Sequence, residues 1–324
     1  MSARRVAFDA LAGEVGERVD RVVAARLEAE GVTRSAVSRY CDEGRVRVRG
    51  AVAKASQRVR AGDAIAVEIP APEPLTAQPE DIPLAVVYED REILVVDKPA
   101  GLVVHPAKGH ASGTLVNAVL HHAEVEDEDA DPLRPGIVHR IDRLTSGLLV
   151  VALTPAAREA LQARFRAHDI ERSYLALAEG APGAVSFDTL YDRHPTDRLR
   201  FSSRVREGRR AVTRVETLER LAGGKASYLR CRLETGRTHQ IRVHLADAGH
   251  PLLGDPVYGR RPRDERVRAV AEALGRQALH AAVLGFAHPV TGRPLRFESP
   301  PPEDFARALA GLRALGDSAP RAGR

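Results

Sequence analysis

The sequence predicts an α+β protein in two parts, a small helix-and-strand module followed by a larger domain on a mixed sheet. Three observations carry this. Before residue 70, apolar residues at helical spacing give way to alternating valines and arginines. A segment rich in proline and acid then interrupts the pattern. Beyond it, short apolar strands outnumber helices and follow no regular βαβ rhythm.

Residues 1–16 precede the first helical pattern and are set apart as an N-terminal extension. From 17 to 30, Val19, Val22, Val23 and Leu27 repeat at helical spacing. Thr33 is placed to N-cap a second helix, with Val37 and Cys41 inward and Gly44 as its stop. RVRVRG, Arg45 to Gly50, is a strand turning Val46 and Val48 inward and three arginines outward. After a turn at Ala61-Gly62-Asp63, Ile65, Val67 and Ile69 alternate as another strand. The small module therefore spans 17–69.

PAPEPLTAQPEDIP, Pro70 to Pro83, reads as a linker, with 70–84 separating the module from a domain over 85–305. In that domain Ile93 to Val96 is a short strand ending at Lys98-Pro99, and Gly147 to Leu153 is another. Thr154-Pro155 supplies an N-cap and first-turn proline for a helix carrying Leu161 and Phe165. Tyr174 to Ala178, Ser227 to Leu233 and Gln240 to Leu245 read as further strands or short elements. Residues 306–324 are left as a C-terminal helix and tail, loose from about Gly316.

Composition narrows the function. Of 324 residues 44% are apolar, enough for a core, and no apolar run nears the roughly 18 residues of a membrane span. The N-terminus lacks the apolar core of a signal peptide. Cys41 and Cys231 are the only cysteines, which argues against a disulfide framework or cysteine-rich zinc site. A cytoplasmic protein is expected. Between Arg34 and Arg60 eight cations, including Arg34, Arg39, Arg45, Arg47 and Arg49, face only Asp42 and Glu43, a local excess of +6. Such a face suits phosphates, though charge alone does not separate nucleic-acid binding from a solvated surface.

Two clusters place charge between apolar runs. GIVHRIDRLTSGLLV, Gly136 to Val150, sets Asp142 between Arg140 and Arg143. LETGRTHQIRVHL, Leu233 to Leu245, crowds Arg237, His239, Gln240, Arg242 and His244. A structural ion pair would explain either, yet burying an acid beside apolar segments is costly unless it is paired, and arginines stand ready. His105, His110, His121 and His122 cluster, but without HExxH or a cysteine pair no metal is expected. Thr145-Ser146-Gly147 is not a GxSxG elbow, and GxGxxG and Walker A loops are absent, so no cofactor is expected. Tyr174 reads as a strand aromatic in a chain with few rings.

HRIDRLTSG, His139 to Gly147, resembles the catalytic signature of the RluA family of pseudouridine synthases. VVDKPAGLVVHP (Val95 to Pro106), RSY (Arg172 to Tyr174), GRTHQIRVHL, GDPVYG (Gly254 to Gly259) and QALHA (Gln277 to Ala281) follow in the family's order. Residues 17 to about 69 resemble the S4 RNA-binding module. With His105-Pro106 and RHPTDR (Arg193 to Arg198), the likeness is to the RluD type, which modifies large-subunit ribosomal RNA. It implies a largely antiparallel sheet, an RNA substrate and no cofactor; a monomer is the default expectation, and the lack of a long apolar run leaves no membrane partner expected.

By position, the resemblance implies Asp142 as the catalytic carboxylate, Arg140 as the arginine that displaces the target base, and Tyr174 as the active-site tyrosine. Arg242 would pair with Asp142, Arg237 would join the substrate site, and Leu279 would lie beneath the base. Ile141 replaces the usual leucine, a small packing change. The reaction breaks the N1–C1′ bond of a uridine, turns the uracil and rejoins it through C5. Attack of Asp142 at C1′ or C6, or proton abstraction at C2′, all fit the sequence, as does Tyr174 or a water as C5 proton acceptor. The apolar flanks of Asp142 would wall the pocket and the arginines would keep it charged. The same reaction on transfer RNA, a non-catalytic RNA-binding or ribosome-assembly factor, and a small-molecule hydrolase are the rival readings.

Overall fold

In the computed structural model the chain forms two compact units, Met1–Leu75 and Thr76–Arg324. The structure describes residues 3–70, 76–106, 110–126, 131–197 and 199–317. Met1, Ser2, 71–75 of the expected linker, Arg198 of RHPTDR and 318–324 of the expected tail lie outside the described residues.

The first unit runs β1 (Arg4–Asp9), α1 (Val19–Arg26), α2 (Arg34–Asp42), β2 (Val46–Val48), β3 (Ala51–Val52) and β4 (Ala64–Ile69). Its sheet has the order β1-β4-β2-β3. The expected apolar positions Val19, Val22, Val23, Leu27, Val37, Cys41, Val46, Val48, Ile65 and Val67 form one buried cluster. Thr33 caps α2 by accepting the Ala36 amide, and Gly44 follows with φ +73°. The extension is corrected: residues 4–9 pair with β4 from Arg4↔Ile69 to Asp9↔Ala64, so they complete this sheet. The strand was hidden because it lies on the edge, and every second residue faces solvent.

The second unit runs β5 (Val86–Glu89), β6 (Ile93–Lys98), α3 (Leu115–His122), β7 (Ser146–Ala152), α4 (Pro155–Ala167) and β8 (Glu171–Glu179). It continues through β9 (Val185–Arg193), β10 (Phe201–Ser202), β11 (Arg209–Leu221), β12 (Ala226–Leu233) and α5 (Gln240–Asp247). It closes with α6 (Glu265–Leu274), β13 (Leu279–Ala287), β14 (Pro294–Glu298) and α7 (Glu303–Asp317). The strand order is β10-β9-β11-β12-β8-β13-β7-β6-β5, with β14 against β13. Every pairing is antiparallel except β13 with β7. At that parallel contact a Cβ on Gly147 would fall 2.3 Å from the Ala281 carbonyl oxygen, and its φ is +113°. The glycine of TSG thus allows β7 to lie beside β13.

Three further expectations change. Residues 76–84 are docked on the second unit: Asn117 donates its side-chain amide to the Gln78 carbonyl, and Glu80 bonds the Asn117 carbonyl and the Gly113 amide. The domain does not stop at 305, because Phe305, Ala308, Leu309 and Leu312 of α7 share a core with Leu177, Leu253 and Val267. Gln240 to Leu245 is helical. Every one of its residues is buried, and Gln240, Arg242 and His244 alternate with Ile241, Val243 and Leu245, a period of two that reads as a strand.

Buried histidines make this fold acid-sensitive. His244 is fully buried between Thr189 and Thr213, and burial pulls its pKa down to about 4. His139 accepts the Val150 amide on Nε2, and its pKa falls for the same reason. Below the unfolded value near 6.5 the unfolded chain binds more protons, so stability is lost as pH falls toward 4. His244 alone contributes up to about 1.4 kcal/mol per pH unit. Urea unfolding at pH 7 and pH 5.5 is expected to show a lower midpoint at pH 5.5, and a smaller drop in His244→Gln.

Candidate active site

Asp142 enters a cavity of about 540 Å³ from the loop before β7. The loop is held from behind. Lys98, 1% exposed, donates through Nζ to the carbonyls of Pro99, Leu102 and Arg143, and the Gly101 amide also bonds Arg143. Arg276 donates to the Leu144 carbonyl, itself fixed by Asp304. Burial lowers the Lys98 pKa to about 7, although three carbonyls around one amine use all three protons of the ammonium form.

Arg242, in the first turn of α5, brings the two charged clusters together. Its Nη1 donates to Asp142 Oδ2 at 2.9 Å, while Nε and Nη2 form a fork onto Asp255 at 2.7 and 2.9 Å. The Asp255 side chain is wholly buried and also accepts the Val257 and Tyr258 amides. Burial opposes charge on both partners. The Asp255 bonds and the two carboxylates outweigh it, raising the Arg242 pKa, while the Asp255 pKa is lowered. His239, at the left-handed residue before α5, lies 3.9 Å from Asp142 Oδ1 and is biased toward neutral by burial. Oδ1 accepts no hydrogen bond among the described residues; Oδ2 also takes Gln277 Nε2 at 3.4 Å.

Tyr174 of β8 and Leu279 of the adjacent β13 are 7% and 4% exposed and line the same cavity. Burial raises the Tyr174 pKa, so the phenol is neutral at neutral pH. Arg140 is exposed at the cavity with Nη1 3.5 Å from His105 Nε2. Arg237 also lines it, donating Nε to the Arg210 carbonyl. One expectation about the walls is corrected. Val138 and Ile141 line the cavity, but Leu148, Leu149 and Val150 are consumed by the sheet interior, because β7 is buried on both faces.

The five arginines expected to contact RNA, Arg34, Arg39, Arg45, Arg47 and Arg49, belong to the first unit. Four meet carboxylates: Arg34 with Asp20, Arg39 with Glu43, Arg45 with Glu43 and Glu68, and Arg49 with Asp63. Arg47 donates to the Gly50 carbonyl. Asp20, Asp63 and Glu68 lie outside the sequence window, so the folded face is less positive than the linear count. Asp255, Gln277 and His239 are site residues for which the sequence indicated no role; Asp255 and Gln277 stand in the quoted GDPVYG and QALHA.

A carboxylate and a forked arginine inside a polar cavity, on a mixed sheet with one parallel pair, agree with what comparison finds. Residues 92–247 match the family described as RNA pseudouridylate synthase. The chain belongs to the RNA pseudouridine synthases, isomerases that modify RNA. It is 45% identical over 304 residues to "Ribosomal large subunit pseudouridine synthase D" of Xanthomonas campestris pv. campestris, covering 92% of this chain and 89% of that one. The protein of the same name from Zymomonas mobilis is 43% identical, with 90% and 92% covered. Among solved structures, "Human RNA Pseudouridylate Synthase Domain Containing 1" superposes with TM-score 0.53 at 26% identity, over 69% of this chain and 85% of that one. Among the described residues no helix is long and apolar enough to cross a membrane.

Proposed function

We propose that the chain isomerises uridine to pseudouridine in large-subunit ribosomal RNA, with Asp142 as the reacting carboxylate. The observation that carries this is the Asp142–Arg242–Asp255 bridge. Arg242 occupies Oδ2, and among the described residues Oδ1 accepts no hydrogen bond, in a cavity that Asp142, Tyr174 and Leu279 line. One carboxylate oxygen is anchored and the other is available to the ribose or the base, whichever of the C1′, C6 or C2′ routes operates. Arg140, exposed beside the cavity, is placed to take the space of a displaced base. Tyr174 is the wall against which the uracil lies. Because burial keeps it a neutral phenol, a poor base, we assign proton removal from C5 to a water. Arg237 completes the substrate side, and the reaction needs no cofactor.

The choice of large-subunit RNA rests on the relatives named for it. The second unit is read as the catalytic domain, with 76–84 and α7 part of it, and the first unit as an S4-like RNA anchor. We place the enzyme in the cytoplasm as a monomer. Tritium release from C5-labelled uridine in ribosomal and transfer RNA transcripts tests the reading. Release is expected from the ribosomal transcript; release from transfer RNA alone would move the target class, and none from either would end the catalytic claim.

Deleting residues 1–75 is expected to weaken RNA affinity and to flatten its salt dependence, since each lost phosphate contact removes about 0.7–0.9 from the log–log slope. The slope should fall by fewer than five, given the acids already paired with Arg34, Arg39, Arg45 and Arg49. Filter binding from 50 to 300 mM salt, on the order of the range where such effects show, measures this. An unchanged slope and affinity would exclude the module as an anchor.

A further inference from the structure

Arg172, the first residue of RSY, has no part in the chemistry above. It lies two residues before Tyr174 on β8, so both side chains leave the same face of the strand, and both line the cavity. Arg172 is 8% exposed. Its Nη2 donates to the Glu234 carbonyl at 2.7 Å and its guanidinium lies over the Phe165 ring at 5.5 Å. Nε is buried with no hydrogen-bond partner, and no carboxylate pairs with the group among the described residues. Arg242, equally buried in the same cavity, is met by two carboxylates.

The fold keeps Arg172 there. Gly236 makes the space, because a Cβ at that position would fall 2.6 Å from Arg172 Nη1. Among the described residues around the cavity Asp142 is the only lining carboxylate and is already bridged, against Arg140, Arg166, Arg172, Arg237 and Arg242. Arg140 and Arg166 are exposed and keep their hydration. Arg172 cannot, and the Glu234 carbonyl and the Phe165 ring that hold it carry no formal negative charge, so its own charge is left uncompensated at a cost that an anion in the cavity would relieve. The anion that RNA offers is the phosphodiester, whose oxygens match the planar fork of a guanidinium. The uracil itself presents neutral carbonyls.

We propose that Arg172 anchors a backbone phosphodiester of the strand flanking the uridine in the cavity, making a phosphate subsite next to Tyr174. This rests on the RNA reading of the site. Asp142 and Arg242 serve the reacting nucleotide; Arg172, with Gly236 giving it room, fixes the strand that carries it.

Phosphate-ethylation interference tests this on the full chain. A ribosomal transcript, ethylated at random phosphates so that each loses its charge, is partitioned between bound and free by wild type, Arg172→Gln and Gly236→Ala. Wild type should exclude from the bound fraction molecules ethylated at one phosphate within about two nucleotides of the modified uridine. Arg172→Gln should lose that exclusion at that position alone, with affinity reduced about tenfold and the salt slope lower by about one. Gly236→Ala, which keeps the charge but displaces it, should weaken the same exclusion, so the test survives if Arg172→Gln does not fold. If Arg172 merely braces the Glu234 loop, the variants lose stability and keep the wild-type interference pattern and slope. That result overturns the proposal. Tritium release by wild type on the same transcript is read separately. Arg172-dependent exclusion without release ends the synthase reading and leaves the anchor standing; release without it ends the anchor alone.

Discussion

Asp142→Asn is expected to reduce pseudouridine formation by at least about 10⁴-fold, with RNA affinity changed less than about threefold. The asymmetry follows from the geometry. The amide oxygen of asparagine can still accept from Arg242 Nη1, as Oδ2 does at 2.9 Å, so the loop held by Lys98 and Arg276 keeps its place. What the amide lacks is the carboxylate's charge, and with it the second anionic oxygen, which accepts no hydrogen bond among the described residues. Phosphate contacts are untouched. Tritium release and filter binding on one transcript separate the two effects. Turnover that survived the substitution would remove Asp142 from the reaction, and a parallel loss of affinity would make it a binding residue.

Arg242→Ala should damage stability as well as rate. It strips the counterion from Asp255, whose side chain is wholly buried, and from Asp142. Removing one partner of a buried pair costs about 3–5 kcal/mol, and turnover should fall at least about 100-fold because the carboxylate loses its orientation. The pH dependence distinguishes this from ordinary loss of packing. Without Arg242, burial raises the Asp255 pKa above its unfolded value near 3.9. The folded state then binds more protons than the unfolded one, and its stability is present at low pH and lost as pH rises through the folded value. The gap between variant and wild type should therefore be smaller at pH 5 than at pH 7.5 in urea unfolding. Arg242→Lys should recover only part, since one ammonium cannot reach Asp142 and form the fork on Asp255 together. A gap independent of pH would mean that Asp255 is solvated or neutralised in another way.

Much of this protein was legible locally. The valines of α1 and of β2, the Thr33 and Thr154 caps, and the strands around Leu94, Leu149 and Ala176 are where periodicity places them. Failures came where a signal depends on a distant partner. β1 looks like a ragged leader because an edge strand shows only a weak alternation until β4 is beside it. Residues 240–245 looked like a strand or fragment because polar and apolar residues alternate there, and burial of the polar ones depends on partners distant in sequence. Arg34, Arg45 and Arg49 looked less opposed than they are because Asp20, Glu68 and Asp63 lie outside their stretch of chain.

The candidate site divides along the same line. The sequence by itself supplied motifs in a distinctive order, and their resemblance to a family implied Asp142, Tyr174 and Arg242 as site residues; residue chemistry alone left Asp142 open to a structural ion pair and Tyr174 to a strand aromatic. Only the tertiary structure decided which oxygen of Asp142 is free, that Asp255 holds Arg242 by a fork, and that Arg172 is buried without a carboxylate. Asp142 and Arg242 are 100 residues apart, and Arg242 meets Asp142 because α5 is fixed at the cavity. Pairing is a property of distance and burial, which no count of charges along the chain contains.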